Sequence, residues 1–371
     1  MPTHPAAWAR STLLVLLAPI ASLALADQAH ACGWDWETYY AEQRSLPCVY
    51  DALLGYWPKH TDEYHRTRIE AADYALDWLP GWTPALDAKG ISLLALGELE
   101  PADAVMKQRL ALAPDAYPSH ANLGTLYTFT GDYEAALEHI DRAMAIEPEA
   151  HFGREKYHRA LVVFLSRTKA DPAIASQENF LGITLTDAQR KAGSPREFEA
   201  LGLEDDAFDA LVSMISVYGA DELPEIYLSL GELLAAHGER RLAYTAYRRA
   251  KELGHVRRDT LTRWIKAMNK AITAERPHPM RGGVGSYLDI SNKYVIESKR
   301  AKEFQIEWSA WERERLAAGL AIWSDAGLTE IYAQMHAKRR RCDAPRIIAD
   351  PLAPEAGEIV DASDSAEGIE P

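Results

Sequence analysis

The sequence predicts an all-α protein: a solenoid of helical hairpins with capping helices at its N- and C-terminal ends. Three observations carry this. Gly90, Gly97, Ala102 and Pro114 recur 34 residues later as Gly124, Gly131, Ala136 and Pro148. Apolar residues return in three- and four-residue steps along most of the chain, the period of an amphipathic helix. Ala, Leu and Glu are abundant, and β-branched runs are scarce. A chain of 371 residues can bury a sizeable core, and repeat arrays extend it unit by unit.

The first 31 residues read as an export signal. Arg10 gives a short positive region, residues 12–26 are largely apolar, and Asp27 and Gln28 end that run. Ala29-His30-Ala31 has the small-x-small pattern of a signal-peptidase site, with cleavage after Ala26 as the alternative. No later stretch is apolar enough to span a bilayer, so a soluble, periplasmic or secreted protein is expected. Export permits disulfides. Of Cys32, Cys48 and Cys342, the first two lie close together before the repeats and are the preferred pair. Alternatively, Cys32 is the lipid-bearing first residue of a lipoprotein and Cys48 pairs with Cys342. Ala29 and His30 depart from the usual residues before such a site.

Residues 32–82 form an aromatic cap, with Trp34, Trp36, Tyr39, Tyr40, Tyr50, Tyr56 and Trp57 expected to cover one end of the array. Thr61 is placed to cap a helix whose stripe is Ile69, Ala72, Leu76 and Leu79, ended by Pro80-Gly81. The array spans 83–257, with units 83–116, 117–150 and 224–257 and a degenerate stretch 151–223. Small residues at Gly90, Gly124, Ala102 and Ala136 let paired helices approach closely. Gly97 and Gly131 suit the left-handed end of a helix, and Pro114 and Pro148 stop the second helix. Residues 151–169 predict a first helix, 170–203 an insertion with short helices, and 206–218 a return to helix.

Residues 258–342 predict further helices. Leu261, Trp264, Ile265 and Met268 line the first, and Phe304, Trp308 and Trp311, then Leu316, Leu320 and Trp323, line a later one. The loop 277–286 lacks the Gly-Lys-Ser/Thr of a phosphate-binding loop. The basic run 338–341 suits a solvated helix end. Residues 343–371 hold eight acidic residues, one Arg and no aromatic, and read as a disordered acidic tail. A net charge of −15 argues against nucleic acid as partner.

The 34-residue period and its Gly, Ala and Pro positions resemble the tetratricopeptide repeat. Two further patches, 32–38 and 150–158, resemble exported bacterial repeat proteins of unassigned function. The resemblance implies a concave groove, lined by first-helix side chains, that receives a protein or peptide. Those positions are Asp87, Ile91, Leu94 and Ala95, then Ala121, Asn122, Thr125, Thr128 and Phe129, then Leu228, Glu232, Ala235 and Ala236. They lack the Lys/Arg pairs that clamp a terminal carboxylate, so an extended or helical segment with apolar anchors fits better.

His151, Arg154, Glu155 and His158 form the densest reactive cluster and a second candidate polar site. On one continuous helix the two imidazoles would stand about 10 Å apart along the axis, too far to share an ion. No metal or cofactor is expected. His60 and His65, five residues apart, are expected at the surface. No nucleophile triad, metalloprotease helix or dinucleotide glycine pattern appears. The expected role is an exported scaffold or adaptor in the cell envelope. The alternatives are an enzyme with a site in 151–223, or a module that self-associates through the aromatic C-terminal helices.

Overall fold

The computed structural model describes Trp34, Asp35, Glu37, Thr38, Ala41, residues 46–274 and residues 290–319. The export signal, Cys32, Cys342, the 277–286 loop, Leu320, Trp323, the 338–341 run and the acidic tail lie outside them. Every regular element among the described residues is helical, so the class is all-α.

A short helix α1 (Val49–Leu54) precedes α2 (Asp62–Trp78). The Thr61 hydroxyl accepts from the Tyr64 amide and caps α2. Two hairpins follow: α3 (Thr83–Ala95) with α4 (Leu99–Leu112), then α5 (Tyr117–Thr130) with α6 (Tyr133–Ile146). Pro84 and Pro118 sit in the first turns of α3 and α5, where a missing amide hydrogen costs nothing. Gly97 and Gly131 both take φ of 72°, the left-handed geometry that reverses each hairpin.

Within the second hairpin the backbones nearly touch. A Cβ at Gly124 would lie 2.7 Å from Ile140 Cγ1 and 3.3 Å from the Ile140 amide nitrogen. Leu86, Ile91, Leu93, Met106, Leu123 and Leu126 fill the core that joins the two hairpins. Val162 of α7 (Glu155–Ala170) closes against Ala136 and Ile140 and continues the stack.

The helix expected from residue 151 starts instead at Glu155. His151, Phe152 and Gly153 take φ of 51°, 57° and 74°, a left-handed turn that costs side-chain-bearing residues about 1–3 kcal/mol each. That turn drives His151 inward, where its Nδ1 meets the Tyr218 hydroxyl at 2.6 Å. Beyond α7, three short helices replace a second repeat helix: α8 (Ala173–Gln177), α9 (Asp187–Ala192) and α10 (Pro195–Ala200). The chain then forms α11 (Asp206–Ser216), and the third hairpin is α12 (Pro224–His237) with α13 (Arg240–Glu252).

A second, larger core runs from α7 through α11, α12, α13 and α14 (Arg258–Ala274) and takes in Ala52 and Leu53 of α1. The last described helix, α15 (Ile290–Ala317), returns to the start of the chain. Its Gln305 donates to the Gly55 carbonyl at 2.9 Å and to that of Trp57. The first and last helices among the described residues are therefore in contact.

Gly124→Val should drive a branched side chain into Ile140. We expect a loss of about 1–3 kcal/mol, read as a lower urea midpoint with an unchanged slope.

Candidate functional site

The face expected to form a groove is covered by the chain itself. Asp87, Ile91, Leu94, Ala121, Asn122, Thr125, Thr128, Leu228 and Glu232 are buried, as are Ala235 and Ala236. Ala95 is half-buried, and Phe129 packs half-buried against the first core.

Trp34 lies on α5 rather than over the end of the array. Its amide donates to Asn122 Oδ1 at 2.6 Å, and Asn122 Nδ2 donates to its carbonyl at 3.0 Å. One side-chain amide thus reads both backbone groups of a single residue, as a peptide-binding asparagine would. The Trp34 ring meets Tyr117 edge-on at 6.2 Å. Asn122 also donates to Asp87 at 3.2 Å, and Asp87 pairs with Arg109 at 3.0 Å. Burial pushes the Asp87 carboxyl up to about 6 in spite of Arg109.

From Trp34 a line of charges runs inward. Arg68 Nη2 donates to Asp35 at 2.6 Å, and its Nη1 stands 3.4 Å from Glu37. Glu37 pairs with His60 Nε2 at 3.1 Å, and His60 Nδ1 pairs with Glu312 of α15 at 2.5 Å. The second Glu312 oxygen accepts from the Thr61 amide at 2.7 Å. The surface position expected for His60 is thereby corrected: its side chain is 24% exposed and lies between two carboxylates. Burial alone would lower its pKa, but Glu312 and Glu37 push it up to about 10. Burial alone would raise Glu37, but Arg68 and His60 hold it far below the usual carboxylate range.

The cluster noted in the sequence does converge, around Glu155. Its carboxylate accepts from the Tyr117 hydroxyl at 3.0 Å and pairs with His158 Nδ1 at 2.9 Å. His158 Nε2 lies 3.4 Å from the Thr128 hydroxyl. Burial would raise Glu155, but His158, His151 and Tyr117 leave it lowered. Arg154 turns away to Asp209 at 3.2 Å. Among the described residues no group of three or more His, Cys, Asp or Glu converges to hold a metal ion.

The third unit is covered by the insertion. Arg190 of α9 donates to both oxygens of Glu232, at 3.1 and 3.0 Å, and stacks over Trp264 at 3.6 Å. A Cβ at Gly193 would lie 1.9 Å from the Ala235 carbonyl oxygen, so only glycine admits this contact.

What stays open is an edge that the sequence did not single out, and it corrects one residue: Leu79, expected on the buried stripe, follows the end of α2 and is 60% exposed. Tyr74, Trp78, Leu79, Trp82 and Leu112 are between 47% and 74% exposed. Tyr74 and Trp78 are four residues apart on one face of α2. The Gly81 turn lies beside the end of α4, since a Cβ there would sit 4.0 Å from Leu112 Cδ2. Their signal in the sequence was the run Trp78-Leu79-Pro80-Gly81-Trp82, too apolar for a plain turn.

Hairpins stacked in register with small residues at their crossings define a helical-repeat protein. Residues 117–149, the α5–α6 hairpin, match the family model described as tetratricopeptide repeat, so the chain carries a tetratricopeptide repeat. No curated protein matches the sequence. The repeat carries the general role of a protein–protein interaction scaffold. No helix among the described residues is long and apolar enough to cross a membrane.

The ion line predicts a bell-shaped stability. His60, raised in the fold, contributes fully below about 6.5, its unfolded value, and loses that contribution as pH rises through about 10. Glu37, depressed in the fold, contributes above about 4.5 and loses its share as pH falls below that. Urea midpoints should therefore be highest between about 4.5 and 6.5. His60→Gln should flatten the alkaline limb.

Proposed function

We propose that this chain is an exported adaptor of the cell envelope that docks a protein partner on the exposed aromatic edge of its first units. The single observation behind the docking surface is the exposure of Tyr74, Trp78, Leu79, Trp82 and Leu112, carried by the end of α2, the 79–82 turn and the end of α4. Large apolar side chains grouped on a surface mark sites that a partner covers, and tryptophan and tyrosine dominate such contacts energetically.

Export is supported by two features. The first 31 residues have the charge, apolar run and small-x-small end of a signal peptide. Cys48 is disulfide-bonded, and disulfides persist in oxidising compartments. Lipid attachment at Cys32 would compete for one of the two cysteines that can serve Cys48.

The groove positions take an internal role in this reading. Asn122 holds Trp34, Glu232 holds Arg190, and Thr128 stands beside His158. The enzyme alternative is not adopted, because Glu155, His151 and His158 are withdrawn from the solvent through which a substrate would reach them. Self-association through the C-terminal aromatics is not adopted either, since Trp308 is buried within its own chain.

Capture from envelope extract tests the adaptor role. Trp78→Ser and Trp82→Ser change exposed side chains and should leave the melting temperature unchanged. Each should weaken recovery of one specific partner by about 30-fold, the scale of an aromatic hot spot. Equal recovery by both variants and the wild type would refute the edge. An intact N-terminus on protein found in the cytosol would refute export.

A further inference from the structure

Charge in this acidic protein is segregated. The chain carries −15 overall, yet residues 240–270 hold ten Lys and Arg against Glu252 and Asp259 alone. These residues are α13, α14 and the turn between them. They surround a cavity of about 640 Å³ whose wall is completed by Ser291 of α15.

Two kinds of cation line it. Arg248 is fixed: it donates to Ser291 Oγ at 3.0 Å and lies 4.2 Å from the Tyr294 ring centre. Lys251, Arg258 and Lys266 have no carboxylate partner among the described residues. Arg258 and Lys266 are eight residues apart on α14, about 12 Å along its axis. Between the cations lie apolar atoms of Tyr244 and Ile265. Glu252 also lines the cavity, held by the Tyr294 hydroxyl at 2.6 Å. A compact polyanion would meet that carboxylate, whereas spaced single charges on a chain can pass either side of it.

The protein carries such a chain. In residues 343–371, Glu355, Glu358, Asp361, Asp364, Glu367 and Glu370 recur at every third position. An extended polyproline-II path returns every third residue to one edge, about 9 Å apart, so successive carboxylates fall within side-chain reach of cations spread over about 12 Å. Ile359 and Val360, between two of these acids, offer apolar contact to Ile265. Gly319, the last described residue, precedes Glu355 by 36 residues. Even 36 residues of helix cover about 50 Å, so the span presents no obstacle.

We propose that the acidic segment 343–371 docks in cis in the basic cavity between α13, α14 and the start of α15. Its carboxylates face Lys251, Arg258 and Lys266, and its apolar pair meets Ile265. This surface lies on other helices than the aromatic edge, and neither assignment depends on the other.

Zero-length carbodiimide coupling of the full chain tests it, because that reagent joins a lysine to a carboxylate only where they touch. Lys156 with Glu204, 2.5 Å apart, is an internal positive control. At low salt, Lys251 and Lys266 should couple to carboxylates between Glu355 and Glu370 in the monomer fraction. At about 0.5 M salt, where screening acts over roughly 4 Å, that yield should fall several-fold. Arg258→Glu keeps both reporter lysines and the fold, and should cut it at least fivefold. The proposal is overturned if the control couples while the tail joins Lys338 or lysines elsewhere instead. It is equally overturned if the tail joins Lys251 and Lys266 only in dimers, or if Arg258→Glu changes nothing.

Discussion

The line of alternating charges from Asp35 through Arg68, Glu37 and His60 to Glu312 is the constraint that organises the molecule. It joins the start of the chain, α2 and α15. A buried charge is tolerable only beside its opposite. Each member here has at least one, and Glu312 and Asp35 are almost fully withdrawn from water. Removing Arg68 or His60 strips Asp35 or Glu312, the buried carboxylate at that end of the line, of its opposite charge, a loss on the order of 3–5 kcal/mol. The line is therefore less a source of net stability than a specification of which segments must meet.

That specification explains why the concave face is closed. While Asp35 and Glu37 meet Arg68, the neighbouring Trp34 runs along α5, where Asn122 holds its backbone. At the other end Arg190 draws α9 onto Glu232, and Gly193 lets the two backbones meet. The groove that a bare repeat array would offer is used to seat the chain's own additions. The large exposed aromatics lie instead on the outer edge, where Trp78 and Trp82 face water.

The repeat was legible because its information is local. Gly124 faces Ile140 and Gly97 ends α3 within one unit, so a 34-residue period records the packing directly. The seating of residues 34–38 and of α15 was not legible, because their contacts are remote: Trp34 to Asn122 spans 88 residues, and Thr61 to Glu312 spans 251. An asparagine on a groove position looks the same whether it awaits a ligand or holds its own chain. His60 was misplaced for the same reason, since spacing to His65 says nothing of Glu37 and Glu312. At 151–158 the error was one of phase. The left-handed turn at His151–Gly153 breaks the continuous helix on which the separation of the imidazoles was reckoned, and Glu155, between them, becomes the centre instead.

Contact between α15 and α2 has a mechanical consequence. A stack whose ends are free behaves as a spring, because small rotations at each interface add up to a long extension, and its terminal units can peel away singly. Fastening the two ends together turns that spring into a hoop. Load applied at either end is carried across the fastening before it reaches any hairpin. Such a body is stiff until the fastening parts and then yields in one step.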